Sequence, residues 1–214
     1  MTPTPAELRE QAMTSGLSLS DAPNTPAELF QAWFEQTRPA GVPQPRAMTL
    51  ATVNALGRPT ARMVILAGCD QRGFDFATDA RSPKIADTAQ QPWVALVFYW
   101  AELERQVRVE GPLEPLDAVI SDRYFYLRSR ESQVATWLAR QSDAINGRDI
   151  LEESLLQRMA EFEGQPIPRP PYYLAYRVKP AMVEFWQARG ERINDRLRYT
   201  SAPGGSWIIE LLAP

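Results

Sequence analysis

Near its C-terminus the chain carries the stretch Val183-Glu184-Phe185-Trp186-Gln187-Ala188-Arg189-Gly190-Glu191-Arg192-Ile193-Asn194-Asp195-Arg196. It joins an apolar strand to a polar turn with arginines on both sides. Turns contribute little to a hydrophobic core, so charged and amide side chains concentrated in one favour a functional role. We therefore expect this segment to form part of a binding or catalytic site.

Strand patterns continue on both sides of this stretch. Tyr172–Val178 and Met182–Trp186 lie before the turn, and Leu197–Thr200 and Ser206–Leu212 form a hairpin around a Pro-Gly-Gly loop. Earlier in the chain, apolar or alternating runs predict five more strands, over Ala47–Val53, Arg62–Ala67, Phe74–Thr78, Trp93–Trp100 and Gln106–Val109.

Helices are predicted before and between these strands. Thr25 and Ser82 are expected as N-caps, each followed by proline at the first helical position. Further helices are expected over Asp117–Leu127, Ser132–Arg140 and Ile150–Phe162. Strands at both ends with helices inserted between them predict an α+β barrel with peripheral helices. We expect one domain over residues 26–214, preceded by a mobile arm over residues 1–25 that is rich in threonine, serine and proline.

Composition and charge exclude several classes of function. The formal net charge is -3, which argues against a nucleic-acid partner, since such proteins usually carry a basic surplus. No apolar run reaches the roughly 18 residues that a membrane helix needs. The absence of histidine excludes a Ser-His-Asp triad and histidine-ligated metal, and Cys69 is the only cysteine. We expect a cytoplasmic protein without a bound metal or a membrane partner.

Arginines beside strand and helix ends, mixed with aromatic and amide side chains, suit a phosphorylated planar ligand. Guanidinium groups and helix N-termini bind phosphate, and apolar faces bind a ring. By composition alone this remains one of two interpretations, because arginines on surface strands are commonly solvated charges.

Several motifs carry a resemblance to a known family. The C-terminal stretch, continued by Tyr199, resembles the C-terminal signature of the pyridoxamine 5′-phosphate oxidases. Arg62-Met63-Val64-Ile65-Leu66 resembles that family's first FMN strand, and Leu103-Glu104-Arg105-Gln106-Val107 also agrees. Ser129-Arg130-Glu131-Ser132-Gln133, followed by Trp137, Gln141-Ser142 and Arg148, resembles its central signature. The matches run from about residue 45 to the C-terminus.

The resemblance implies an FMN-binding split β-barrel that forms a homodimer, with each site made by both subunits. It implies oxidation of pyridoxamine or pyridoxine 5′-phosphate to pyridoxal 5′-phosphate by oxygen. The implied cofactor-binding residues are Arg62, Met63, Val64, Ile65, Thr78, Lys84, Gln106, Gln141, Ser142, Trp186 and Arg196. The implied substrate-binding residues are Tyr124, Arg128, Ser132, Arg192 and Asn194, of which Arg192 and Asn194 are also the catalytic candidates. Tyr124, Arg128 and Ser132 are four residues apart, so one helix face would present them together if the helix continues.

Four positions depart from the family pattern. Ala67 replaces a lysine that helps hold the substrate phosphate, Ala77 a tyrosine, Pro83 an arginine at the FMN phosphate, and Asn194 a histidine. Two alternatives therefore stay open: an FMN oxidase acting on a small aromatic, phenazine-like ring, and a non-catalytic flavin- or pyridoxal-phosphate-binding protein. Retention of Tyr124, Arg128 and Ser132 favours a small phosphorylated substrate.

Overall fold

The structure, a computed structural model, describes residues 4–190 and 193–214. Within these ranges the helices are α1 (Pro5–Ser15), α2 (Pro26–Thr37), α3 (Pro83–Gln90), α4 (Ala118–Tyr126), α5 (Arg130–Ala135) and α6 (Arg148–Glu161). The strands are β1 (Ala47–Val53), β2 (Pro59–Ile65), β3 (Gly68–Asp70), β4 (Gly73–Asp79), β5 (Trp93–Trp100), β6 (Arg105–Pro115), β7 (Tyr173–Val178), β8 (Met182–Gln187), β9 (Asp195–Ser201) and β10 (Trp207–Leu211).

The strands form one curled antiparallel sheet. Seven of them lie in the order β10-β9-β8-β6-β5-β1-β2, and β6 bends the sheet because it changes partner along its length. Its first half pairs with β8 and its last residues pair with β7, which leads to β4 and β3. The α+β prediction is confirmed, and β2 lies at one end of the seven-strand path.

The core fills the concave side of the sheet and is closed by α2. In β1 every second side chain is buried, as expected for a strand with one covered face. Phe30 of α2 is 2% exposed, and its ring lies 4.9 Å from that of Phe74 and 5.0 Å from that of Phe98. A smaller cluster around Phe125 and Phe162 packs α4 to α6 against β7.

Most predicted elements are confirmed, although the strand predicted over Gln106–Val109 is β6 and continues to Pro115, where it pairs with β7. Three further corrections follow. The second strand runs over 59–65 rather than 62–67, since Leu66 and Ala67 donate their N–H groups to the backbone carbonyls of Arg46 and Asp75 as the chain leaves β2. The helix predicted over 132–140 is α5 and ends at Ala135. There the chain turns so that the Trp137 indole packs on Phe162 and donates to the Pro168 carbonyl.

The third correction concerns the start of α3. Ser82 occupies the N-cap position, but its hydroxyl makes no capping hydrogen bond. It accepts instead from the Lys84 ammonium at 2.9 Å. The cap at Thr25 is confirmed, since its hydroxyl accepts from the Glu28 N–H.

The N-terminal arm contains a helix. Thr4 and Glu7 form a capping box at the start of α1, whose Leu8 and Ala12 are buried. Arg9 reaches the Glu104 carboxylate at 2.5 Å. Residues 1–3 lie outside the described residues, and the mobility of the arm stays a prediction. In the described ranges, no helix has both the length and the apolar character needed to cross a bilayer.

Candidate active site

A cavity of about 1030 Å³ opens along β2 and the start of α3, and most of the predicted site residues line it. Its volume is that of a site for a cofactor and a small substrate. The predicted residues on its wall are Arg62, Met63, Val64, Ile65, Thr78, Lys84, Tyr124, Arg128, Ser132, Gln141 and Ser142. Met63 and Ile65 are more than half exposed, because β2 ends the sheet and its outer face is uncovered.

Lys84 provides the most buried cation of the cavity. Lys84 is 6% exposed. Its ammonium donates to Gln141 Oε1 at 2.6 Å, Ser82 Oγ at 2.9 Å and Thr78 Oγ1 at 3.2 Å. None of the described carboxylates lies within ion-pair distance of it. Burial, with the nearby Arg62 charge, lowers the pKa of Lys84 to about 8. An ammonium held only by neutral oxygens beside a second cation is an anion-binding arrangement.

Arg62 is the second cation of this corner. Its guanidinium donates to Thr60 Oγ1 at 2.6 Å, Thr52 Oγ1 at 2.8 Å and the Leu50 carbonyl at 3.2 Å. The nearest carboxylate, that of Asp87, is 3.8 Å away. Burial lowers the pKa of Arg62 from its ordinary value. The strand pair β1–β2 thus fixes the guanidinium without neutralising it through a short ion pair.

The segment around Gln141 and Ser142 closes the same corner. Gln141 Oε1 accepts from both Lys84 and Thr78, and the Gln141 N–H donates to Asp79 at 3.3 Å. Ser142 has φ of 76°, in the left-handed region that non-glycine residues seldom adopt. Such backbone at a cavity wall is common where a site requires a particular orientation.

The helix does not continue far enough for Tyr124, Arg128 and Ser132 to share one helix face, so the condition for that prediction is not met. Helix α4 ends at Tyr126 and α5 begins at Arg130, so Arg128 lies in the break between them. All three side chains nevertheless line the cavity. Arg128 Nη1 is buried and has no hydrogen-bond partner among the described residues, while its guanidinium lies 5.1 Å from the centre of the Tyr173 ring. A buried N–H without a partner is costly, and an anionic ligand would satisfy it.

Tyr124 is held by a buried ion pair that the motifs did not reveal. Its hydroxyl donates to Asp75 Oδ2 at 2.8 Å. Arg177 donates to both oxygens of the same carboxylate, at 2.6 and 2.7 Å, from the position facing Asp75 on β7. Burial and the Asp75 hydrogen bond raise the pKa of Tyr124 to about 12. The sequence signal that could have revealed this ion pair is Asp75, a charged residue between Phe74 and Phe76 in a strand with buried neighbours.

Three predicted cofactor residues lie elsewhere, in a row across the sheet. Gln106 on β6 faces Trp186 on β8, which faces Arg196 on β9. Arg196 donates to Glu184 Oε1 at 2.8 Å and to the Ala213 carbonyl at 2.9 Å. None of the three lines the cavity. Asn194 Oδ1 accepts from the Arg189 N–H at 3.1 Å, and Arg192 lies outside the described residues.

The predicted site residues therefore fall into two sets. Within the described residues of one chain, these two sets do not meet. One set surrounds the cavity along β2, and the other lies on β6, β8 and β9. Two strands, β5 and β1, separate the second set from β2 in the sheet order.

Sequence profiles identify the family. Residues 34–157 match the family described as pyridoxamine 5′-phosphate oxidase. Residues 173–214 match the pyridoxine 5′-phosphate oxidase C-terminal dimerisation region. The chain belongs to the pyridoxamine 5′-phosphate oxidase family. It is accordingly an oxidoreductase, and the resemblance read from its motifs is confirmed.

Individual relatives of this oxidase family agree over nearly the full length. The chain is 46% identical to a pyridoxine/pyridoxamine 5′-phosphate oxidase of Acaryochloris marina, over 98% of this chain and 95% of the relative. It is 44% identical to one of a Cyanothece strain, over the whole of both chains.

Two solved structures share the fold. One is PhzG from Burkholderia lata in complex with tetrahydrophenazine-1-carboxylic acid, at 30% identity and a TM-score of 0.87, covering 94% of this chain and 100% of that one. The other is a pyridoxamine 5′-phosphate oxidase-related, FMN-binding protein from Nostoc punctiforme, at 22% identity and a TM-score of 0.73, covering 89% and 98%. The split-barrel prediction is confirmed by this likeness.

The departures from the oxidase family pattern fall at defined places in the site. Ala67 and Ala77 line the cavity, and Pro83 opens α3 beside Lys84. Pro83 has no N–H to offer a ligand. Relative to the pattern that the resemblance implies, these positions offer no lysine, tyrosine or arginine donor, and Lys84, Arg62 and Arg128 are the predicted cations that line the cavity.

Proposed function

We propose that this protein is an FMN-dependent oxidase that converts pyridoxamine 5′-phosphate or pyridoxine 5′-phosphate to pyridoxal 5′-phosphate, with oxygen as electron acceptor. The observation that carries the proposal is the pairing of two cations, Arg62 and Lys84, at one corner of a large cavity with no short ion pair to a described carboxylate. Homology to oxidases of these substrates at 46% identity supports it.

The residues present fit the cofactor. A phosphate monoester carries close to two negative charges at neutral pH, and it would compensate both cations of this corner. Thr78 and Gln141 already bind Lys84 and would orient it toward the phosphate. The exposed side chains of Met63 and Ile65 offer an apolar surface to a planar ring. When bound, FMN supplies the redox chemistry by accepting a hydride and passing two electrons to oxygen.

The protein's own contribution is to bind and orient the substrate. The Arg128 guanidinium, with its unpartnered Nη1, would hold the substrate phosphate, and Ser132 lies on the same wall. Tyr124 stays protonated at neutral pH because its pKa is about 12. An amine substrate gives up a hydride from its carbon and a proton from its nitrogen, and the resulting imine takes up water and releases ammonia to leave the aldehyde. Oxygen is reduced to hydrogen peroxide.

We also propose that the active form is a homodimer in which Gln106, Trp186 and Arg196 complete the site of the partner. The match of residues 173–214 to a dimerisation region supports this assembly. So does the separation of these three residues from the cavity within one chain. A two-fold axis would repeat each set, giving two equivalent sites.

A complementation experiment tests the shared site. Lys84→Met alters the set of residues around the cavity, and Arg196→Ala alters the set on β6, β8 and β9. The homodimer of each variant should bind FMN weakly. Mixing the two after subunit exchange should restore about a quarter of wild-type activity, because half the dimers are mixed and each has one unaltered site. Failure to restore any activity, with subunit exchange verified, would show that both residues serve the same site within one chain.

Turnover tests the substrate. The purified protein is loaded with FMN and mixed with pyridoxamine 5′-phosphate while pyridoxal 5′-phosphate formation and oxygen uptake are followed. Equal rates of the two would support the proposal, and no turnover at millimolar substrate would refute it.

A phenazine-like ring is the second candidate substrate. The likeness to PhzG in complex with tetrahydrophenazine-1-carboxylic acid and the loss of a cation at Ala67 favour it. Oxidation of a reduced phenazine carboxylate in the same assay, without turnover of the phosphorylated amine, would select this function.

A further inference from the structure

One end of the cavity, around Leu66, Ala67 and Gly68, contains an arginine that no motif identified. Arg46 lies directly before β1, and its carbonyl accepts from the Leu66 N–H at 2.9 Å. This bond places Arg46 at the last rung of the β1–β2 ladder, beside the point where the chain turns into β3. Arg46 lines the cavity together with Leu66 and Ala67.

The Arg46 guanidinium is uncommitted. Within residues 4–190 and 193–214 it makes no side-chain hydrogen bond and lies within ion-pair distance of no carboxylate. Many arginines of the described residues have such a partner. For example, Arg177 binds Asp75 and Arg196 binds Glu184. Arg46 is exposed, as Arg58 is, but unlike Arg58 it lines the cavity, so its donors are available to an anion bound there.

The Tyr124 hydroxyl does not offer its proton to a ligand at this end of the cavity. The Tyr124 hydroxyl lies there, since a Cβ built on Gly68 would be 2.5 Å from its oxygen. Its proton is directed to the Asp75 carboxylate at 2.8 Å. A hydroxyl has one proton, so Tyr124 presents lone pairs and not a donor to any anion while this bond lasts. Arg128 is then the cation on the Tyr124 side, and it has one unpartnered Nη1.

A phosphate monoester at this end needs more than one cation. It carries close to two negative charges at neutral pH and has three acceptor oxygens. Arg128 alone supplies one positive charge, and Asp75 behind Tyr124 is already neutralised by Arg177. A carboxylate, with a single charge, would be satisfied by Arg128 without help.

We propose that Arg46 is a specificity-determining residue that binds the phosphate of the substrate opposite Arg128. This inference rests on the proposed function, because it assigns a phosphorylated substrate to the same site. Ala67 lines the same cavity as Arg46, and its methyl group takes up less of that space than a longer side chain would.

Steady-state kinetics of Arg46→Ala test the assignment. The KM for pyridoxamine 5′-phosphate should rise about ten- to a hundredfold, as expected for the loss of a charge-assisted contact. The value of kcat should stay within about twofold, since Arg46 contacts only the phosphate. Arg46→Lys should recover most of the affinity. Arg46→Ala combined with Ala67→Lys should recover it too, because a lysine at the cavity wall replaces the lost charge.

Arg58→Ala is the matched control. Arg58 is an exposed arginine in the turn between β1 and β2 and does not line the cavity, so its removal changes the net charge equally. Its KM should remain unchanged. An unchanged KM in Arg46→Ala would overturn the inference while leaving the proposed function intact.

If the wild type shows no turnover, a direct binding measurement tests the Arg46 anion site separately from the proposed oxidase function. Pyridoxal 5′-phosphate and inorganic phosphate are titrated into the FMN-loaded wild type, Arg46→Ala and Arg58→Ala. Weaker binding in Arg46→Ala alone would support the anion site even without oxidase activity. Equal binding in all three, or binding in none, would refute it.

Discussion

FMN affinity should depend on pH through Lys84. The pKa of Lys84 is lowered to about 8 by burial and by Arg62, in a corner without a bound anion. A dianionic phosphate beside it would favour the charged form and return the pKa toward the ordinary value of 10.5. FMN binding above pH 8 therefore takes up one proton.

The sign and size follow from this linkage. Below pH 8 Lys84 is already charged, so the Kd for FMN should be flat. Above pH 8 the Kd should rise by up to about tenfold per pH unit, which is the value for one coupled proton. Between about pH 7 and about pH 9 the expected loss of affinity is close to tenfold. The phosphate itself does not titrate here, because its second pKa is near 6.

Titration of the apoprotein with FMN, followed by flavin fluorescence, measures this effect. Lys84→Met should bind more weakly at pH 7 and lose the pH dependence, since it has no proton to take up. Lys179→Met is the matched control, because Lys179 is the other lysine of the chain and is exposed. A flat wild-type profile, or the same slope in Lys84→Met, would refute the assignment of Lys84 to the cofactor phosphate.

Three further predictions concern stability and reactivity. Phe30→Ala should lower the free energy of unfolding by about 3–5 kcal/mol in urea denaturation, because the ring is 2% exposed and packs among aromatic rings. Glu184→Gln should lower it by about 1.5–3 kcal/mol and weaken FMN binding. The buried Glu184 carboxylate contacts Arg196 at 2.8 Å and Arg108 at 3.6 Å. Cys69, whose pKa is raised to about 12 by burial and nearby carboxylates, should react with a thiol reagent at pH 8 about a thousandfold more slowly than a free cysteine.

Each of these has a matched comparison. Leu19→Ala changes an exposed side chain and should leave stability nearly unchanged, as should Glu210→Gln at an exposed ion pair. In urea-unfolded protein, Cys69 should react with the thiol reagent at the rate of a free cysteine. Equal stability losses in Phe30→Ala and Leu19→Ala, or rapid labelling of native Cys69, would contradict the packing described.

Local patterns in the sequence determined most elements, and the resemblance carried by its motifs supplied the candidate cofactor residues. Ala47–Val53 and Trp93–Trp100 are strands with the predicted bounds, since a short apolar run is a property of a few consecutive residues. Thr25 with Pro26 fixed the start of α2 for the same reason. The motif around Arg62 likewise indicated which cation would meet a phosphate.

Only the tertiary structure decided which of these residues meet. Lys84 and Gln141 are 57 positions apart, and the Asp75–Arg177 pair that holds Tyr124 spans 102. The end of α5 at Ala135 depends on where Trp137 packs, and the isolation of Gln106, Trp186 and Arg196 depends on strand order. Periodicity and capping report on neighbours within one or two turns, whereas these contacts depend on strand pairing between distant segments. For that reason the candidate residues could be named from the sequence, whereas their separation into two sets within one chain is visible only in the structure.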